Sequence, residues 1–293
     1  MILPMLPRRA FTSGSLLPIV LAFVLLSFTS CQKESPSETK PDTGADAPKT
    51  TGSSGVYPAQ PGFDLQGSDP EAIALADKMM EKMGGMDAWN NARFIAWDFF
   101  GQYQIWDKKE SLYRHEKGNT VTIMSLEKPV GKIFVNGQLL KDSTRILNTL
   151  NQTQMHFLSN TYFLFLPYKL KDDGTRLTYR GEATSMDGRP ADMIRITFDS
   201  TAGYTPNNMH MIWIDKETGL MSQWAFYGDK EDINPAFIRN WSDYKDYNGL
   251  LLATNRDSQD DKLAITDLVV TNAIPKEIFL SARPIDRSNV KPQ

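Results

Sequence analysis

A single cysteine, Cys31, stands in the 293 residues, so no intrachain disulfide can form. Histidine is nearly as scarce. His115, His156 and His210 are the full set, and none has a second histidine or a cysteine at metal-ligand spacing, which argues against a zinc site. An excess of one charge is missing too. Lys and Arg total 32 against 35 Asp and Glu, a formal charge of −3 without a basic run, so nucleic acid is not the expected partner. No G-x-S-x-G elbow, phosphate-binding loop or dinucleotide fingerprint occurs, and no cofactor is implied. Asp172-Asp173-Gly174 lacks the ligand series of a calcium loop and reads as a turn. Tyr113-Arg114-His115-Glu116 sets ionisable groups side by side, but on a strand His115 points away from Arg114 and Glu116. That stretch, like Asp98, reads as a solvated strand face. With no catalytic and no metal residue assigned, the expectation is a protein that is not an enzyme.

The chain opens with an address. Met1–Arg9 is basic, Leu16–Phe28 is mostly apolar but too short for a comfortable membrane span, and small residues follow. That order reads as a signal peptide over residues 1–30. Phe28-Thr29-Ser30-Cys31 resembles a bacterial lipobox, with Phe28 where leucine is usual, and so implies lipidation of Cys31 and a membrane partner held through that anchor. Gln32-Lys33-Glu34 partly resembles a surface-export signal, so the outer-membrane site faces either the periplasm or the cell exterior. Residues 31–68 are rich in Ser, Thr, Pro, Gly and charge, and read as a disordered tether. Its ends would lie about 30–35 Å apart.

The folded domain is expected over 69–280, with a polar, frayed tail over 281–293. Ser68 and Glu71 have capping-box spacing at the start of a helix whose stripe runs Ile73, Leu75, Ala76, Met79, Met80 and Met83, and Gly84-Gly85 ends it. Strands follow by period-two alternation. The first, Arg93 to Trp106, puts Ile95, Trp97, Phe99, Tyr103 and Ile105 on one face, with Gly101 as a bulge or bend. Asn136-Gly137 makes a tight hairpin turn. Between the strands lies the most apolar stretch after the leader, Met155 to Leu170. It reads as the second of two buried helices, the first capped by Asp142 or Ser143, and Pro167 ends it. Strands then resume and include Leu220–Tyr227.

About ten or eleven strands in one antiparallel sheet must curl or split, because twist accumulates. The expected fold class is therefore mainly β, an α+β arrangement in which a curved antiparallel half-barrel has helices covering its concave face. Two functions compete. In one, Ile95, Trp97, Phe99, Tyr103, Phe157, Leu158, Tyr162, Phe163, Phe165, Leu166, Trp224 and Phe226 line a site for a lipid, an acyl chain or another hydrophobic small molecule. In the other, the same apolar content is ordinary core, and the domain is a scaffold that docks an envelope protein.

Four motifs carry a family resemblance. They are Lys82-Met83-Gly84-Gly85-Met86-Asp87-Ala88-Trp89, Leu166-Pro167-Tyr168-Lys169-Leu170, Gly203-Tyr204-Thr205-Pro206, and Trp213-Ile214-Asp215 with Thr218-Gly219-Leu220. In that order, from about Pro70 to Thr271, they resemble an uncharacterised group of bacterial outer-membrane lipoproteins related in fold to the carriers LolA and LolB. The resemblance implies a half-open β-barrel around an apolar cavity and a role in envelope lipid or lipoprotein handling. No cargo-handling residue is carried over from it.

Overall fold

The computed structural model of the protein describes residues 57–200 and 203–291. Met1–Ser30, the signal reading, and Cys31, the lipidation site, lie outside them. Helices α1 (Pro70–Lys82) and α2 (Gly85–Asn91) come first. Gly84, at φ 98, turns the chain between them in a conformation that glycine adopts without strain. Packing begins earlier than the tether reading placed it. Tyr57 and Phe63 are buried, and the Tyr57 hydroxyl donates to the Pro167 carbonyl. Ser68 does not cap α1. The N-cap is Asp69, and both residues are drawn off to a later strand: Ser68 Oγ accepts from Leu177 N and Asp69 Oδ2 from Tyr179 N.

Seven strands form the first sheet, in the order β14-β1-β2-β3-β4-β5-β6. They are β1 (Phe94–Phe99), β2 (Gln102–Asp107), β3 (Leu112–Lys117), β4 (Thr120–Ser125), β5 (Gly131–Val135), β6 (Gln138–Leu139) and β14 (Thr266–Thr271). A second sheet runs β11-β10-β9-β8-β7, built from β7 (Thr175–Thr184), β8 (Pro190–Phe198), β9 (Met209–Asp215), β10 (Met221–Tyr227) and β11 (Phe237–Asn240). β12 (Ser242–Tyr247) and β13 (Leu250–Asn255) pair with each other. They join the two sheets, because Trp241 N donates to Ser222 O and Ile265 N to Thr254 O. All pairings are antiparallel and the sheets stay open, so the wall is a half-barrel as expected.

The expected single strand Arg93–Trp106 is a hairpin instead. Phe100 and Gly101 take positive φ, 55 and 66, as a two-residue turn with inverted handedness requires. The turn changes every facing after it. Asp98 pairs with Tyr103 and Ala96 with Ile105, so Tyr103 and Ile105 sit on the face opposite Trp97 and Phe99. The described strands number fourteen, more than the ten or eleven expected.

Two expected helices merge into one, α3 (Ser143–Phe165), capped by Asp142, whose Oδ1 accepts from Arg145 N at 2.7 Å. Its polar middle, Asn151 and Gln152, faces solvent while Leu150, Thr153, Asn160 and Leu164 face the wall, so no break is needed. A short 3-10 turn, Leu166–Lys169, takes Pro167 out of the helix proper. No helix among the described residues is long and apolar enough to cross a membrane.

The tail is not frayed. Ile278 and Val290 pack on Ala96, Tyr103 and Ile105 on the outer face of the first sheet. Beneath this strap, Arg114 is fully buried and donates to the carbonyls of Ile278, Ser281 and Arg283 and, through Nε at 2.6 Å, to Glu116. Tyr113–Glu116 is therefore buried rather than solvated. Asp98 is covered as well, bonded to Arg287 at 2.7 Å.

Candidate functional site: an aromatic mouth and a polar seam

Helix α3 lies against the inner face of the wall, and its side chains define what that face can do. Three rings of α3 reach the first sheet. Phe157 meets Trp106 at 5.1 Å and Tyr113 at 4.9 Å, Phe163 meets Phe99 at 4.9 Å, and Phe165 meets Trp97 at 5.9 Å. Phe163 also meets Trp224 of the second sheet at 4.9 Å. Tyr162 stacks on His210 at 5.1 Å, and His210 Nδ1 accepts from Trp224 Nε1. Burial holds the His210 imidazole down at about 3, so it is neutral and serves as an aromatic wall. Ile95 and Leu166 are buried in the same core, and Leu158 is half-buried on α3.

The expected lining residues are thus brought together, Tyr103 excepted. Tyr103 is under the strap, with the Arg287 guanidinium over its ring at 4.5 Å. The remainder pack ring against ring, and at one end of the wall the packing runs out to the surface. Phe100, at the β1–β2 tip, is 58% exposed. It touches Phe99 at 4.3 Å and Phe163 at 6.2 Å; Phe163 touches Phe237 at 5.5 Å, and Phe237 touches Phe226 at 5.2 Å. Phe163, Phe198, Phe226 and Phe237 are all half-buried. This continuous aromatic mouth joins both sheets and α3.

Two residues that sequence reasoning passed over hold the helix here. Arg256 is fully buried, and among the described residues no carboxylate partners it. Its Nε donates to Phe163 O at 2.7 Å, its guanidinium lies 3.3 Å over the Trp241 ring, and burial pushes it down to about 9. The negative end of the α3 dipole, two residues from the helix end, compensates the cation. Tyr168 donates to Met83 O at 3.0 Å and stacks on Trp89, tying the 3-10 turn to the end of α1. A lone arginine in a polar stretch gives no pattern that would have found it.

Beside the mouth, α3 meets β2–β4 along a seam of uncharged polar groups. Gln104 Oε1 accepts from Tyr113 Oη at 2.5 Å and from Asn160 Nδ2 at 3.1 Å. His115 Nε2 bonds Gln102 Oε1 at 2.9 Å, and His156 lies over His115 at 5.4 Å between ring centres. Desolvation, then His156 and Lys117, keep His115 down at about 3, so it is neutral. His156 also borders a shallow, open depression of about 490 Å³ on α3, lined by Asn148, Asn151, Gln152 and Met155 besides. Among the described residues, no group of three or more His, Cys, Asp or Glu stands where it could hold a metal ion.

Comparison with known proteins gives the following. No curated protein matches the chain. Among solved structures, it is similar to a domain from Vibrio parahaemolyticus described as an outer membrane lipoprotein-sorting protein. Identity is 12%, covering 70% of this chain and 97% of that one, with a TM-score of 0.34. It is similar to a LolA superfamily protein from Nitrosomonas europaea at 8% identity, over 71% of this chain and 96% of that one, TM-score 0.31. A third similarity, at 12% identity, is to MucB in the Pseudomonas aeruginosa MucA/MucB complex, over 70% of this chain and 60% of that one, TM-score 0.20. The family model that matches spans residues 96–274, from β1 past β14, and so takes in the mouth, α3 and the seam. By that match the chain belongs to a family of unknown function, DUF6503.

Proposed function

We propose that this protein binds an acyl chain or similar hydrophobic ligand at the aromatic mouth, and that it does so at the cell envelope, held to a membrane through Cys31. The carrying observation is the mouth itself: rings from both sheets and from α3 stay partly exposed in one connected surface, with Phe100 more than half in water. Exposed contiguous apolar surface of this kind marks a place where something apolar docks. Phe100 also holds φ 55, a conformation unfavourable for a bulky side chain, which keeps the ring at the hairpin tip. An occupant would enter between the β1–β2 tip and the β10–β11 connection and displace Phe163 from Phe237.

The test is uptake of N-phenyl-1-naphthylamine by the full chain carrying Cys31→Ser, so that no anchor chains compete. Saturable uptake that falls at least fivefold in Phe163→Ala/Phe237→Ala supports the reading. No uptake by the unaltered mouth overturns it. In that case the same exposed rings favour the alternative, an adaptor that covers them with a protein partner, which cross-linking in cells would capture.

A further inference from the structure

The mouth says that a ligand is apolar; the seam says what its other end carries. The inner-face positions of β1–β4 are Ile95, Trp97 and Phe99, then Gln102, Gln104 and Trp106, then Tyr113, His115 and Lys117, then Thr120, Thr122 and Met124, as the strand registers fix. Only Lys117, which is exposed, is charged. Arg114 and Glu116 point to the other face. Everything else polar here is an amide, a hydroxyl, an indole N–H or a neutral imidazole.

Several of these groups lack partners among the described residues. Trp97 Nε1, Thr122 Oγ1 and His156 Nδ1 are buried and make no hydrogen bond, and Trp97 and Thr122 are at least 99% buried. All three belong to this one interface. Trp97 is the cross-strand neighbour of Gln104, Thr122 that of His115, and His156 lies on the His115 ring. A buried unmade hydrogen bond costs about 1–3 kcal/mol, so three in one seam are a standing cost unless another group meets them. The groups offer donors from indole and hydroxyl and an acceptor or donor from imidazole. That set suits carbonyl and hydroxyl oxygens and provides no counter-charge.

We infer that the seam between α3 and β1–β4 is a head-group subsite for an amphiphile whose polar end is uncharged and hydrogen-bonding, such as an ester, an amide or a glyceryl hydroxyl. This rests on the proposed function above, and adds that the tail occupies the mouth while the head reaches Thr122 and Trp97. A carboxylate or quaternary ammonium head would lose its water there; no acid faces the ammonium, and the one cation, Lys117, stands in solvent where it screens a buried carboxylate poorly, so either charge is the more expensive burial.

The experiment displaces N-phenyl-1-naphthylamine from the full chain carrying Cys31→Ser with four amphiphiles of equal tail: monododecanoylglycerol, dodecanamide, dodecanoate and dodecyltrimethylammonium. The expected result is that the two neutral compounds displace the dye at concentrations at least tenfold lower than the two ions. Ester and amide arms then separate the two head chemistries. Thr122→Val keeps the side-chain shape and removes the unpartnered hydroxyl. It should weaken the neutral compounds about fivefold, leave dye uptake unchanged and leave the melting temperature unchanged or higher. Trp97→Phe is the second variant and should act in the same direction. Equal displacement by all four compounds, or Thr122→Val binding like the parent, overturns the subsite while dye uptake leaves the mouth standing. No dye uptake overturns both.

Discussion

The two faces of the seven-stranded sheet bury polar groups in opposite ways. On the outer face, Arg114 and Glu116 form a buried ion pair whose spare donors and acceptors are filled by the strap: Arg114 reaches three carbonyls, and Glu116 Oε1 also accepts from Ile285 N. On the inner face, which begins at the next residue, His115, the buried groups are neutral and three of them are unmatched among the described residues. A buried charge survives only with every bond made, and such a network locks one arrangement. Neutral groups left short of partners can be carried by the fold at lower cost, and they leave the interface able to accept something else. The outer face is built to stay shut, and the inner face, with α3 resting on it, is the one where exchange is affordable.

Three variants sharpen that contrast. Arg114→Ala should have the largest effect. It strands the Glu116 carboxylate under the strap and removes the bonds that hold Ile278–Arg283, and breaking a buried pair this way costs about 3–5 kcal/mol. Chemical denaturation reads the loss, and hydrogen exchange should show amides after Pro275 losing protection first. An unchanged midpoint would mean that the strap is held by its apolar contacts alone.

Acid acts on the inner side. His115 and His210 titrate near 3 in the fold and near 6.5 unfolded, so the unfolded chain binds more protons between those values. Stability therefore falls as pH drops from about 6.5 towards 3, by up to about 1.4 kcal/mol per pH unit for each imidazole. His115→Asn and His210→Asn should each flatten the slope measured between pH 6.5 and 5, above most carboxylate titration, by that amount. If neither variant changes the slope, the two imidazoles are not held neutral by burial. The smallest effect belongs to the exposed start of α3. Asp142→Ala removes the cap bond to Arg145 N and should cost about 1 kcal/mol, with ligand uptake unchanged.

The sequence made some of this legible and concealed the remainder for identifiable reasons. The strands after Ser111 follow from alternation, and the Asn136-Gly137 hairpin from the residues that tolerate positive φ, here 51 and 79. The Phe100-Gly101 turn escaped because phenylalanine is not a residue that signals a left-handed position, and a hairpin misread as one strand reverses the facing of everything beyond it. That error alone placed Tyr103 among the ligand-lining residues. The strap escaped because its composition is polar and its anchors are distant in the chain, Arg114 lying 164 residues from Ile278. The aromatic mouth was half legible. Phe157 to Leu166, Trp224 and Phe226 were recognisable as apolar clusters, but Phe100, Phe198 and Phe237 join them only through tertiary contact. The seam was hidden for a simpler reason: Gln102, Gln104 and Thr122 alternate with apolar residues as a solvated face would, His115 sits between Arg114 and Glu116, and only the position of α3 makes that face an interior.

The measurement that bears most directly on the account is the competition of monododecanoylglycerol with dodecanoate for the dye site of the full chain carrying Cys31→Ser. Displacement by the neutral compound at a concentration at least tenfold lower, lost when Phe163 and Phe237 are both alanine, is the expected result. Failure of the chain to take up the dye at all would contradict it, and the aromatic surface would then belong to a protein partner.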